Sequence, residues 1–356
     1  MSRRLTVRVP IAIGLLAAAL TVSPAMAAGP VTVVADGLDN PRGIDVGRNG
    51  TVVVAETGTG VIHRIRDGKV STLADGLPIA SFEGEVTGIV GLGLTGDGNV
   101  FVSVGEGLEP GAPWSTIWRV NRSGAARQVA DIGAFQAKDP DPDDSDVPAN
   151  PIQSNPYGIE SIGASRVLVT DAGNNDLVLV RPGHKPVQVA RFPTRFVSGA
   201  HVGIPADIPA EAVPTTVARG PDGYWYVGQL LGFPFTPGQS QIWRIAPWAR
   251  GAVCDDDTSD GCSMYMSGFS SIVGIDFGRD GSLYVLEMAR HGLAACFGPA
   301  ADCGGALWRV KGNNKTELAP GMLVTPGDVA AAPDGSVWVT NFAVQAGLGQ
   351  VLRIKP

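Results

Sequence analysis

The chain has 356 residues, 44% of them hydrophobic and 17% charged, and carries a formal net charge of −7 at pH 7. A chain this acidic lacks the clustered Lys and Arg of a nucleic-acid footprint and is not drawn to anionic lipid. Its 48 glycines and 27 prolines suit many short strands joined by tight turns.

In chain order, Arg3, Arg4 and Arg8 precede the apolar run Ile11–Leu20, and Ala25-Met26-Ala27 follows. These flanks predict a secretory signal peptide over residues 1–27. The run is shorter than the roughly 20 residues a membrane anchor needs, so the expectation is a secreted protein, extracellular or in the cell envelope, with no membrane insertion. With the three leader arginines set aside, 24 basic residues face 34 acidic ones.

Six copies of one unit follow: GIDVGRNGTVVVAE…IHRI (43–65), GLGLTGDGNVFVSV…IWRV (91–120), GIESIGASRVLVTD…LVLV (158–180), TVARGPDGYWYVGQ…IWRI (216–245), GIDFGRDGSLYVLE…LWRV (274–310) and DVAAAPDGSVWVTN…VLRI (328–354). Each reads as strand, turn, strand, then a strand ending in a basic–apolar pair in five copies. Asn49-Gly50, Asp97-Gly98, Asp222-Gly223, Asp280-Gly281 and Asp334-Gly335 supply the positive φ of tight turns; the third copy has lost this signature at Ala164-Ser165. A fourth strand is visible at Lys69–Leu73 and Gln128–Asp131. The last copy ends at Lys355-Pro356 with no room for one, while Val31–Leu38 (VTVVADGL) matches Val70–Leu77 (VSTLADGL). The prediction is an all-β, six-bladed β-propeller of four-stranded blades, a single domain over residues 28–356, its N-terminal strand closing the last blade. An open stack of sheets would leave both ends as exposed edges.

The copies can be read as aligned columns. Ile44, Leu92, Ile159, Val217, Ile275 and Val329 are core. Gly43, Gly91, Gly158, Thr216, Gly274 and Asp328 are mostly glycine, which lets inner strands crowd an axis. Asp45, Gly93, Glu160, Ala218, Asp276 and Ala330 hold three acids that either pair with nearby donors or line a wet channel. The exit of the second strand holds Glu56, Val104, Asp171, Gln229, Glu287 and Asn341, with Glu106 two residues past the exception. These residues, with Asn174, form the expected ligand-binding face. Oxygen groups of this kind suit Ca²⁺, which makes Glu56, Asp171, Glu287 and Asn341 the candidate metal ligands; the alternative is that each fixes its own loop. Arg64, Arg119, Arg244, Arg309 and Arg353 form a periodic column expected to lie over a strand or pair with an acid, and Trp118, Trp243 and Trp308 read as packing.

Gly91–Gly96 matches G-x-G-x-x-G but lies in a strand followed by a turn, so it offers no helix N-terminus to a phosphate. The run Asp139–Asp146 lacks the glycine and glutamate of an EF-hand and reads as a solvated insertion between blades. The histidines are scattered; His201, in an insertion over 196–211, is the one within reach of a face pocket. Cys254, Cys262, Cys296 and Cys303 allow three pairings, and in an oxidising destination the sequence-local one, Cys254–Cys262 with Cys296–Cys303, is favoured.

Val213-Pro214-Thr215-Thr216-Val217-Ala218-Arg219-Gly220-Pro221-Asp222-Gly223, Val227–Phe235, Ser154-Asn155-Pro156-Tyr157-Gly158, Asp171–Leu177 and Gly268–Val273 resemble the ScyD/ScyE family over essentially the whole mature chain. The resemblance implies an exported propeller and carries over no catalytic residue. The architecture is more distantly similar to gluconolactonase-type and NHL-type propellers, of which the former hold a central divalent metal; that likeness rests on fold alone. Three functions follow in order: a monomeric binding or accessory protein holding a small molecule or protein on its polar axial face; a Ca²⁺-dependent hydrolase or lactonase using that face; or a structural cell-surface module.

Overall fold

The computed structural model describes residues 31–82, 85–107, 113–142, 153–255, 261–297 and 301–356. Residues 1–27, expected to be a signal peptide, lie outside them. Six antiparallel sheets follow the six repeats and form a six-bladed propeller. Blade 1 is Pro41–Val46, Val52–Glu56, Val61–Arg66 and Lys69–Ala74. Blades 2 to 5 repeat this order, with inner strands Glu85–Leu94, Pro156–Ile162, Pro214–Arg219 and Ile272–Phe277. Blade 6 has three strands, Val329–Ala331, Val337–Asn341 and Gly349–Ile354, and its fourth is Val31–Leu38. That strand pairs antiparallel with Gly349–Ile354, Val31 opposite Ile354 and Leu38 opposite Gly349. The ring is therefore sealed by its own N-terminal strand, as the repeat arithmetic requires.

The second strand of every blade is buried on both sides. All five residues of Val52–Glu56, Val100–Val104 and Leu283–Glu287 are buried, which is why these segments read as near-continuous apolar runs. Core clusters join neighbouring blades: Val53 and Ala55 of blade 1 pack with Leu92, Val102 and Val104 of blade 2. Ala330 and Trp338 of blade 6 pack with Ile44 and Val52 of blade 1. Each such aliphatic side chain contributes about 1.5–3 kcal/mol on full burial. The glycine column is crowded as expected: a Cβ on Gly91 would stand 2.0 Å from the Tyr157 carbonyl oxygen, and one on Gly43 2.3 Å from that of Val90.

The arginine column pairs with the turns. Arg244 meets Asp222 at 2.7 Å, Arg309 meets Asp280 at 2.7 Å, Arg353 meets Asp334 at 2.5 Å, and Arg119 meets Asp97 at 3.7 Å. Each ties the third strand to the turn joining strands one and two of its own blade. In blade 1 the turn residue is Asn49, and Arg64 instead donates to the Arg122 carbonyl. The third copy turns at Gly163, with φ of 67°, so the glycine has moved rather than vanished. Gly91–Leu94 is strand, as read.

Connections differ sharply between the two faces. The first-to-second-strand turns are short on every blade, while the connections 132–155, 192–213, 230–239 and 288–305 leave the opposite face; the 246–261 connection between the third and fourth strands of blade 4 is the long one on the turn face. The 196–211 insertion is a hairpin, Arg195–Ser198 with Asp207–Ala210, rather than irregular chain. His201 sits at its tip and bonds the Pro234 carbonyl at 2.9 Å. Cysteines pair locally, Cys254 with Cys262 and Cys296 with Cys303. Among the described residues no helix is long and apolar enough to cross a membrane.

Candidate functional site

The column at the second-strand exits does one job in blade after blade: it fastens the loop that arrives at its own inner strand. Glu56 Oε1 accepts from the Asp39 amide at 2.6 Å, and its Oε2 takes Thr59 at 2.7 Å and meets His63 Nε2 at 2.7 Å. Asp171 Oδ1 accepts from the Asn155 amide at 2.6 Å, and Oδ2 from Ser154 at 2.7 Å. Glu287 Oε1 accepts from the Ser270 amide at 2.8 Å, and Asn341 Oδ1 from that of Val324 at 2.8 Å. All four residues are buried, as are Gln229 and Asn174, whereas Glu106 is exposed.

Asp171 and Asn174 come together, with Asn174 donating to Gln136, and Gln136 bridging Asp171 and Asp176 at 3.1 and 2.9 Å. Glu56, Glu287 and Asn341 share no contact with them or with one another; each serves its own blade. Among the described residues no three His, Cys, Asp or Glu side chains are grouped to hold a metal ion. The calcium expectation therefore finds no coordination shell in this column, because its acceptors face loop amides instead of the axis. Burial opposes the charge of Glu56, but its bonds to His63, Asp39 and Thr59 outweigh that and hold the carboxyl below its usual range. Burial pushes Asp171 up, and Asp176 further, with the charge of Asp171 adding to the burial.

The acidic run is not simply solvated where it is described. Asp139 pairs with Arg191 at 3.3 Å and Asp141 accepts from Asn175 at 2.9 Å. Both tie the insertion to blade 3, and the rest of the run lies outside the described residues from 143 onward.

What does face the axis is a channel between the inner strands, with a cavity of about 70 Å³. Three of its acids act as seam fasteners. Asp45 accepts from its neighbour Val46 and, across the seam, from Leu94 of blade 2 at 2.6 Å. Asp276 accepts from Phe277 and from Ala331 of blade 6 at 2.7 Å, and Asp328 from Val329 and from Ile44 of blade 1 at 3.2 Å. Both alternatives for the acidic column are thus realised, since Asp45 and Asp276 pair with donors and also line the channel. Burial raises Asp45 to about 6 and Asp276 to about 7, with the charge of Asp45 a further cause at Asp276.

Hydroxyls complete the seams. Gly91 donates to Ser103 Oγ, which donates to the Tyr157 carbonyl at 2.7 Å. Asp328 donates to Thr340 Oγ1, which donates to the Arg42 carbonyl at 2.7 Å. Only three of six copies carry a hydroxyl here (Ser103, Thr170 and Thr340), which hid the column from sequence reading.

At the loop-bearing mouth the channel is lined by Arg42, Val90, Tyr157, Thr215, Val273 and Gly327. These lie two residues before the apolar core column, so extending the six-row alignment by one step would have found them. Arg42 donates to the Val86 carbonyl at 3.1 Å and forms no ion pair among the described residues. Burial raises the Tyr157 phenol, and the nearby charge of Arg42 acts in the other direction. A guanidinium and a phenol at the hub, ringed by long loops, provide donors for an anionic oxygen.

No family model matches the chain, and no curated protein matches it. Solved structures do. A PQQ-bound aldose sugar dehydrogenase from Streptomyces coelicolor is 16% identical, with a TM-score of 0.56, covering 91% of this chain and 97% of that one. A structure described as an oxidoreductase (glucose dehydrogenase) from Thermus thermophilus is 19% identical, TM-score 0.54, covering 91% and 99%. A catalytically inactive virginiamycin B lyase from Staphylococcus aureus, solved with quinupristin, is 15% identical, TM-score 0.53, covering 92% and 98%. At such identities the likeness defines the class, a β-propeller protein, and speaks to the fold alone.

Proposed function

We propose that this chain is an exported binding or accessory propeller, of the kind its resemblance to the ScyD/ScyE family implies, that holds a small molecule bearing an anionic group on the loop-bearing face. The observation that carries the reading is the presence of Arg42 and Tyr157 together at the channel mouth, on the face from which the connections 132–155, 192–213 and 288–305 leave. Binding residues concentrate on loops held by a rigid scaffold, and the buried exit column supplies that rigidity. Two local disulfides support an oxidising destination. The hydrolase alternative is weaker, since its supposed metal ligands are engaged by loop amides.

The test is untargeted mass spectrometry of small molecules retained by the exported protein, recovered from its host under mild conditions and compared with an Arg42→Ala variant. An acidic compound present on the first and absent from the second is expected. Identical retained sets, or none, would sink the proposal. N-terminal sequencing of the recovered protein checks export: a start near residue 28 is expected. Turnover of a lactone panel would shift the reading to the enzyme alternative.

A further inference from the structure

The face of the first-to-second-strand turns carries a second, larger cavity, of about 920 Å³. Its floor is Asp45, Glu160 and Asp276, the same three acids that line the lower part of the axial channel, contributed by blades 1, 3 and 5. Its wall includes Arg48, Arg64 and Arg122, from blade 1 and the edge of blade 2. Two features set this cavity apart from a solvated rim.

Glu160 is the odd member of the floor. Asp45 and Asp276 each accept two backbone amides, one from their own strand and one across a seam. Glu160 accepts no hydrogen bond and forms no ion pair among the described residues, although it stands inside the channel between two other acids. Burial lifts its carboxyl well above the usual range, the charges of Asp276 and Asp45 lift it further, and the opposing pull of Arg219 is the smallest influence on it. The repulsion it meets from Asp276 and Asp45 is relieved by a cationic partner.

The second feature is the wall. In blades 2, 4, 5 and 6 the third-strand arginine is paired with the turn aspartate. Blade 1 replaces that aspartate with Asn49, so Arg64 has no carboxylate partner. Its contact is the Arg122 carbonyl at 3.3 Å. Arg48, in the same turn, also forms no ion pair among the described residues. Among the described residues blade 1 alone has a third-strand arginine with no carboxylate partner, and that arginine is part of this cavity's wall.

We propose that the turn-face cavity binds a small zwitterion of the amino-acid class, its ammonium group at Glu160 on the floor and its carboxylate at Arg64 and Arg48 on the wall. The site is independent of the anion mouth on the opposite face.

The probe is 6-aminohexanoate, titrated calorimetrically into the mature protein at pH 7, beside hexanoate and hexylamine, which each carry one of its two charged ends. Saturable binding of 6-aminohexanoate at least about tenfold tighter than either, the equivalent of about 1.4 kcal/mol, is expected. Glu160→Gln and Arg64→Gln should each weaken it by about tenfold or more; Glu160→Gln removes no hydrogen bond, so the fold is retained, as circular dichroism will confirm. Absence of saturable binding, equal affinity for hexylamine, or unchanged affinity in Glu160→Gln would overturn the assignment.

Discussion

Thr340 Oγ1 donates a 2.7 Å hydrogen bond to the carbonyl oxygen of Arg42, 298 residues away in sequence. The same hydroxyl accepts from the Asp328 amide at 2.9 Å, so one side chain links the inner strand of the last blade to that of the first. Together with the pairing of Val31–Leu38 against Gly349–Ile354, it closes the ring.

Thr340→Val keeps the shape of the side chain and removes both bonds. Buried partners left unpaired cost about 1–3 kcal/mol, so the midpoint of urea unfolding should fall with an unchanged slope. An unaltered midpoint would show that the seam does not depend on this hydroxyl.

Asn49→Asp restores to blade 1 the turn carboxylate that other blades offer their arginine. An exposed pair of this type contributes about 0.2–1 kcal/mol, and a small rise in melting temperature at low salt is expected. The gain should shrink in high salt as the charges are screened. No rise at any ionic strength would separate Arg64 from the pattern of Arg244 and Arg309.

The acids of the channel predict a pH dependence with a definite sign. Asp45 and Asp276 are raised to about 6 and about 7, so the folded state binds more protons than the unfolded chain between about pH 4 and pH 7. They favour folding below their unfolded pKa and lose that contribution as pH rises through the folded values. Melting temperature should therefore climb from pH 8 towards pH 5. Below that range, carboxylates held low by partners, such as Asp280 and Asp334, are protonated and stability falls again. Asp276→Asn should flatten the slope between pH 5 and pH 8; a melting temperature that rises with pH over that interval would contradict the assignment.

Glu287→Ala leaves the Ser270 amide without its acceptor and should destabilise by about 1–3 kcal/mol. Because the exit column fastens loops, adding millimolar Ca²⁺ should stabilise neither the wild-type protein nor this variant. A calcium-dependent rise in melting temperature that Glu56→Ala and Glu287→Ala abolish would restore the metal reading of that column.

The architecture was legible because six aligned rows over-determine it: strand, turn and closure signals repeat, and the Val31–Leu38 match exposes the missing fourth strand. Pairing of Arg244, Arg309 and Arg353 with turn aspartates was also legible, since periodicity pointed to structure. The direction of Glu56, Asp171, Glu287 and Asn341 was not. Whether a side chain at a strand exit points to the axis or back to its own loop depends on the bulged inner strands, where register shifts such as that between Pro41 and Ile44 bring the loop amides to the carboxylates. Arg42 and Tyr157 escaped notice because their column mixes a cation, a phenol, a hydroxyl, two valines and a glycine, with no shared chemistry. Its meaning comes from position at the hub, which no single row reveals.

The strand that locks the last blade is the first described segment to be synthesised, and its partner is the last. The disc stays open until Val31–Leu38 and Gly349–Ile354 are both free to meet. Until Gly349–Ile354 arrives, Val31–Leu38 is an unclaimed edge, and so is the open flank of the sixth sheet. Such edges invite pairing between molecules, so the interval before these two strands meet is the one in which this protein is most exposed to self-association.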